Sequence, residues 1–222
     1  LGGRNLRKKQ FAVIGMGRFG SSVAQTLYKM GYDVMVIDLD EELIDELKDE
    51  VTYGITADAQ EERVLESLGV RNFDVVIVAI GNDIQASILI TLTLKEMGVK
   101  KVVAKAINER HGRVLERLGA DKIVYPERDM GERLAHYLVS ANLLDYIAIS
   151  DKYSLSEVTV PHFLVQKSLK QTNLRVKYGV NVIAIKRGDE LIVAPPGEEV
   201  LHPDDVLICI GLTQHLDRFA SM

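Results

Sequence analysis

Only one of the 222 residues is cysteine, Cys209. A lone thiol cannot close an intrachain disulfide or assemble a thiolate metal site, so a reducing, cytoplasmic setting is expected. Proline is scarce too, at 5 residues, and the 17 glycines are an ordinary share, so fibrous classes are excluded. With 47% hydrophobic and 27% charged residues, the chain does not fit the disordered class either. Excess positive charge is missing: 27 Lys and Arg stand against 32 Asp and Glu, a net charge of −5. Neither half is basic, so no nucleic-acid partner is expected. Long apolar runs are also missing. The most apolar helical stretch, Ile84 to Leu94, falls far short of the roughly 20 residues that cross a bilayer. The start, Leu1 to Gln10, lacks the apolar stretch of a signal peptide. Any membrane role is therefore expected to come through a partner. The length allows one large domain or two modest ones.

What is present is a repeated local pattern, a helical stretch closing on glycine and then a short β-branched run. Gly31 precedes Val34 to Ile37, Gly69 precedes Val75 to Val78, Gly98 precedes Lys101 to Ala104, and Gly119 precedes Lys122 to Tyr125. Each glycine suits the left-handed turn that ends a helix. Each run after it is apolar on both faces, the mark of a buried parallel strand. With Phe11 to Ile14 in front and Val51 to Thr56 between, the first 125 residues supply about six strands with helical crossovers. The expectation is an α/β domain, a Rossmann-like doubly wound parallel sheet, over residues 1–126.

From Glu127 to about Tyr146 the apolar positions Met130, Leu134, Tyr137, Leu138, Ala141 and Leu144 follow one face of a long helix. Such a helix either packs on its own sheet or swaps onto a neighbour. Residues 127–149 are read as this crossover helix and a linker. After Ser150 short strands and tight turns take over, with Val180 to Lys186 and Leu191 to Ala194 flanking an Arg187–Glu190 hairpin turn. A last strand, Val206 to Ile210, and a short helix, Gln214 to Phe219, complete a smaller α+β domain over 150–222.

The sharpest motif is Gly15-Met16-Gly17-Arg18-Phe19-Gly20, between the Phe11 to Ile14 strand and a helix. Its first glycine allows the tight turn, its second lets backbone approach a phosphate, and its third lets helix and strand pack closely. The helix N-terminus adds free N–H donors and the positive end of a dipole, so an anion belongs here. Asp38 ends the next strand, where a carboxylate accepts from both ribose hydroxyls and repels a 2′-phosphate. Adenosine nucleotides or NAD(H) are favoured over NADP(H). The competing reading is a bare βα turn with Asp38 capping the next helix.

Other candidates lie at the carboxyl ends of the remaining strands, where open α/β sheets bind ligands. They are Asp58, the Ala79-Ile80-Gly81 segment and Lys105. Asp58 is read either as pocket rim or as a cap for the following helix, and Lys105 as rim or as solvated charge. Catalytic signatures are absent: there is no nucleophile elbow, and the histidines His111, His136, His162, His202 and His215 are scattered and read as surface residues. Cys209, in an apolar strand, reads as a small core hydrophobe. A non-enzyme is expected, with the nucleotide a signal.

On these residues the chain resembles the cytoplasmic regulatory subunits of bacterial potassium uptake systems, the KtrA and TrkA proteins built on domains that regulate conductance of potassium. The likeness rests on Phe11 to Gly20, Val78-Ala79-Ile80-Gly81, Ala104-Lys105-Ala106, Leu118 to Asp121, Pro126 to Gly131 and Leu174 to Gly179. The resemblance implies dimers assembling into an octameric ring under a membrane-embedded potassium-transporting subunit of KtrB or TrkH type. ATP or ADP in the glycine-rich site would set the ring's shape, and domain pairs would clasp each other through the crossover helix. In such proteins the position matching Arg18 reaches the γ-phosphate of a nucleotide in the adjoining subunit. The position matching Glu127 helps hold a cation, Mg²⁺ or Ca²⁺, between paired nucleotides. For the small domain the resemblance implies a second effector, cyclic di-AMP, with Arg175, Asn181 and Pro195 as candidate residues; the alternative makes Arg175 and Asn181 helix-end and turn residues. NADH as effector, as in TrkA-like proteins, is the variant reading, and an NAD-dependent oxidoreductase the reading from another class.

Overall fold

The computed structural model describes residues 8–139, 143–150 and 152–222, and divides into a first compact unit ending at Glu127 and a second beginning at Arg128. In the first unit strands and helices alternate: β1 (Gln10–Ile14), α1 (Arg18–Lys29), β2 (Asp33–Asp38), α2 (Glu41–Leu47), β3 (Tyr53–Thr56), α3 (Glu62–Ser67), β4 (Val75–Val78), α4 (Ile84–Glu96), β5 (Val102–Lys105), α5 (Glu109–Arg117) and β6 (Lys122–Val124). The six strands are parallel in the order β3-β2-β1-β4-β5-β6. That order reverses direction at β1, which puts a crevice between the β1 and β4 carboxyl ends.

Both sheet faces are covered, which explains the apolar strand runs. On one face Ile14, Ile37, Val78 and Ala104 pack with Leu65, Ile90, Leu94 and Leu115 from α3, α4 and α5. On the other, Val13, Val36 and Ile77 pack with Ala24 of α1 and Ile44 and Leu47 of α2. The glycine-closed helices end as expected: Gly31, Gly69, Gly98 and Gly119 all have positive φ, from 64° to 92°. At Gly31 the paired bonds of a Schellman turn are complete, Gly31 N–H donating to Tyr28 O and Tyr32 N–H to Leu27 O.

One histidine departs from the surface reading. His111, in the first turn of α5, is 4% exposed, and burial lowers its pKa from the usual 6.5. Among the described residues its two ring nitrogens and the buried hydroxyls of Ser87 and Thr91 on α4 have no hydrogen-bond partner. The cap that opens α5 comes instead from Asn108, whose side chain accepts from the His111 backbone N–H. A residue at the third helical position can face the core or the solvent, and here it is buried with Gly112 and Leu115 of the same helix.

The second unit holds an antiparallel sheet, β10-β9-β11-β8-β7, built from β7 (Leu143–Ala148), β8 (Tyr153–Thr159), β9 (Val180–Arg187), β10 (Glu190–Val193) and β11 (Val206–Leu212). Short helices α7 (Leu169–Thr172) and α8 (Leu174–Tyr178) and the final α9 (Thr213–Ala220) accompany it. Val158, Ile185, Leu207, Cys209, Leu216 and Phe219 form its core, and burial pushes the Cys209 thiol up to about 12, so it is an inert hydrophobe. The hairpin between β9 and β10 turns at Gly188, with φ 57°.

The long helix is shorter than its periodicity suggests. α6 (Pro126–Val139) ends seven residues before Tyr146, and residues 143–148 are β7, paired with β8. Ala141, one of the positions that suggested a single face, lies outside the described residues, as do Leu1 to Arg7. The β8 edge supplies the ladder that decides β7's conformation, and a helical spacing of apolar residues cannot register such a distant partner. The second sheet thus draws its first strand from chain ahead of Ser150.

Candidate functional site

The β1–α1 corner is shaped by main chain. Gly15 has φ 96°, and its N–H donates to Ile37 O at 2.9 Å. A Cβ on Gly15 would crowd Ile80, and one on Gly20 would overlap the Gly15 carbonyl, so these two glycines allow loop, helix and β4 end to close on one another. Gly17 is different: a Cβ there would meet nothing within 4 Å. The backbone at Gly17 faces open space, the approach a phosphate needs. Gly17 is also the N-cap of α1, with no side-chain cap and no acid in the first turn. By contrast Asp40, Asp83 and Asn108 cap α2, α4 and α5 with their own oxygens. The α1 terminus therefore keeps its donors and partial positive charge available.

Asp38, at the β2 end, accepts from the Met16 N–H through Oδ2 and from the Asp40 N–H through Oδ1. Its carboxylate ties the glycine loop to the neighbouring strand, and each oxygen keeps a further lone pair for a ribose hydroxyl. The alternative that made Asp38 the cap of α2 does not hold, because Asp40 fills that role. Asp58 follows β3 and is half-buried; its Oδ1 accepts from Gln60 N–H at 2.8 Å, a local turn ahead of α3, whose N-cap is Glu61. Ala79 N–H donates to Ile14 O at 2.8 Å, which joins the β1 and β4 ends, and Ile80 lies against Gly15.

Lys105 is the most constrained charge of the rim. Its side chain is 12% exposed, its Nζ lies 2.7 Å from Oε1 of Glu127 and 5.9 Å from the Phe19 ring centre, and Gly81 leaves the room in which it sits. The ammonium over the ring is within cation–π range. Its hydrogen bond holds the Glu127 carboxyl below the usual range, with lesser contributions that include the Arg18 charge. Lys105 is thus neither free nor solvated. The fold brings Gly15 to Gly20, Asp38, Asp58, Ala79 to Gly81, Lys105 and Glu127 to one edge of the first sheet. Among the described residues no group of three His, Cys, Asp or Glu side chains is placed to hold a metal.

In the second unit Arg175 is exposed on α8, and Asn181 is exposed within β9, opposite Ile210, so it is a strand residue and no turn. Pro195 follows Ala194, whose N–H donates to Ile183 O at 2.9 Å. The strongest polar feature of this unit escaped sequence reasoning. Arg187 forks onto Asp205 through Nε and Nη2, both 2.9 Å, and also donates to Glu199 and to the Val200 carbonyl. Asp205 is 1% exposed. Burial pushes its pKa up, but the Arg187 hydrogen bonds and charge and the His202 N–H more than offset this and leave it lowered. An arginine closing an apolar strand, followed by two adjacent aspartates after a proline, was the available signal.

Family models decide which lineage this arrangement represents: the TrkA-N domain matches residues 11–126 and the TrkA-C domain residues 155–222. The chain belongs to the KtrA/TrkA family of potassium uptake regulatory subunits. It is 49% identical over 212 residues to Ktr system potassium uptake protein C of Bacillus subtilis, covering 96% of each chain. It is 43% identical over 216 residues to Ktr system potassium uptake protein A of the same organism, covering 97% of each. Among solved structures, the GsuK channel bound to NAD has the same fold, with a TM-score of 0.67 over 98% of this chain and 40% of that one, at 17% identity. Among the described residues of this family member no helix is long and apolar enough to cross a membrane.

Proposed function

We propose that an adenine nucleotide seated on the β1–α1 corner biases the shape of a ring of copies of this chain, and that the ring gates a membrane-embedded potassium-transporting partner from its cytoplasmic side. The observation that carries this reading is the corner itself, with open backbone at Gly17, an α1 terminus without a side-chain cap, and Asp38 one strand along. Support for the potassium system comes from near-full-length likeness to the two Ktr system potassium uptake proteins. In this reading residues 1–126 hold the nucleotide, 127–149 carry its effect onward, and 150–222 take a second effector, cyclic di-AMP, at Arg175, Asn181 and Pro195. The nucleotide acts as a signal and is not turned over.

Arg18, the first residue of α1, makes the effector ATP against ADP, since a guanidinium offers planar, charge-assisted donors that a γ-phosphate can use. A divalent cation, Mg²⁺ or Ca²⁺, would use Glu127 together with nucleotide oxygens and a second copy. Moving a ring from about 1:99 to 99:1 takes roughly 5.5 kcal/mol of differential affinity. Shared over the eight sites of an octamer that switches as one, about 0.7 kcal/mol per site suffices, within reach of one Arg–phosphate contact. NADH is the second reading, because Asp38 suits its ribose equally well.

Calorimetric titration tests the assignment. Arg18→Ala is expected to narrow the preference for ATP over ADP, whereas Asp38→Ala weakens both. Equal losses for both nucleotides in Arg18→Ala would defeat the γ-phosphate role. A scattering profile identical with ATP, with ADP and without nucleotide would defeat the regulatory reading. Mass spectrometry of ligands retained on the purified protein separates ATP, NADH and cyclic di-AMP.

A further inference from the structure

Between the end of α8 and the face of α9, the second unit has a solvent-open cleft of about 380 Å³. That is the lower part of the range of small-molecule pockets. Three basic side chains line it, Lys177, His215 and Arg218, with Val176, Tyr178 and Met222 as apolar wall, and no carboxylate is among the lining residues. Among the described residues none of the three basic side chains makes an ion pair or hydrogen bond, while Asp217, next in sequence to Arg218, is turned to His136 Nδ1 at 3.4 Å. The imidazole of His215 reaches its place because residue 179 is glycine, with φ 68°; a Cβ there would overlap the ring.

Cations in the last turn of a helix offset the carbonyl end of its dipole, and Lys177 and Arg218 both occupy such turns. Helix ends alone do not account for two such charges and a glycine-seated imidazole meeting at one cleft with no acid in it. Like charges held together without a counterion repel, and an anion relieves them.

We propose that this cleft binds a phosphate monoester. Lys177, Arg218 and His215 together present more N–H donors than a carboxylate can accept, and they match the three terminal oxygens of a dianionic phosphate. Val176 and Met222, both exposed, give the organic part of the ester an apolar surface. A soluble phosphorylated metabolite and a phosphatidic acid headgroup share this chemistry. The cleft belongs to the second unit and the nucleotide corner to the first, and neither reading depends on the other.

The test is a titration of inorganic phosphate into the full chain at fixed pH and ionic strength, read at the His215 imidazole by nuclear magnetic resonance, with chloride as control. A saturable shift with phosphate and none with chloride is expected, and Lys177→Gln and Arg218→Gln each weaken the apparent affinity roughly tenfold or more. Both side chains are exposed, so these variants keep the fold, which circular dichroism checks. No shift, or a shift with unchanged affinity in the double variant, overturns the proposal. A second arm sediments the protein with phosphatidylcholine vesicles containing phosphatidic acid. Co-sedimentation lost in the double variant assigns the lipid source; its absence alongside an intact phosphate shift assigns the soluble one.

Discussion

The two units organise their polar features by different means. In the first, the candidate site is main chain: three glycines and an uncapped helix end, held in register by Asp38. In the second, order around the β10–β11 connection rests on side chains, with Arg187 joining β9 to Asp205, Glu199 and Val200. A backbone site demands the absence of side chains at fixed points, and a side-chain site demands one specific group. Substitutions should therefore hurt the first unit by adding atoms and the second by removing them.

The largest effect is expected where atoms are removed. Arg187→Ala leaves Asp205 buried beside an empty place, and breaking a buried pair this way costs about 3–5 kcal/mol. Denaturant unfolding measures it, and a loss of only a few tenths would show that the pair is ornamental. Gly20→Ala adds a methyl onto the Gly15 carbonyl, with an expected cost of roughly 2–3 kcal/mol and loss of nucleotide binding. Unchanged stability in that variant would erase the contrast between the units.

Acid sharpens the same comparison, because the two units contain groups that fail at different pH. His111 has its pKa lowered by burial, so the folded state binds its proton less readily than the unfolded one. Its contribution is intact above about 6.5 and declines as pH falls below it, by at most about 1.4 kcal/mol per pH unit. His111→Leu should abolish that decline and leave stability at pH 8 equal or higher, since no hydrogen bond is lost. Asp205 has its folded pKa lowered, so its contribution persists above the ordinary 3.8 and disappears only in stronger acid. Stability followed against pH in the parent chain, in His111→Leu and in Arg187→Ala checks the two windows. The smallest effect belongs to Lys105→Met: Glu127, 71% exposed, should titrate nearer its ordinary value by nuclear magnetic resonance, with stability changed by less than about 1 kcal/mol.

The first unit was legible because its information is local. The β-branched runs, the glycines at 31, 69, 98 and 119 and the motif at Gly15 to Gly20 each state their conformation within a few residues, and the parallel order follows from crossover rules. The rim residues were legible because they sit where such strands end. What could not be read depends on distant partners. β7 carries helical spacing but answers to the β8 ladder, His111 is buried only once the fold has packed, and Arg187 meets Asp205 eighteen positions along only after β9 and β11 pair. The Lys105 contacts with Phe19 and Glu127 likewise join three separate connections at one sheet edge.

The bare peptide at Gly17 has a consequence for how such a domain can change over time. In the proposed reading, amides hold the phosphates and are indifferent to whatever chemical group hangs beyond them. The choice between a triphosphate and a dinucleotide would then fall to a few bordering side chains, with the proposed role of Arg18 foremost, while the scaffold beneath stays untouched.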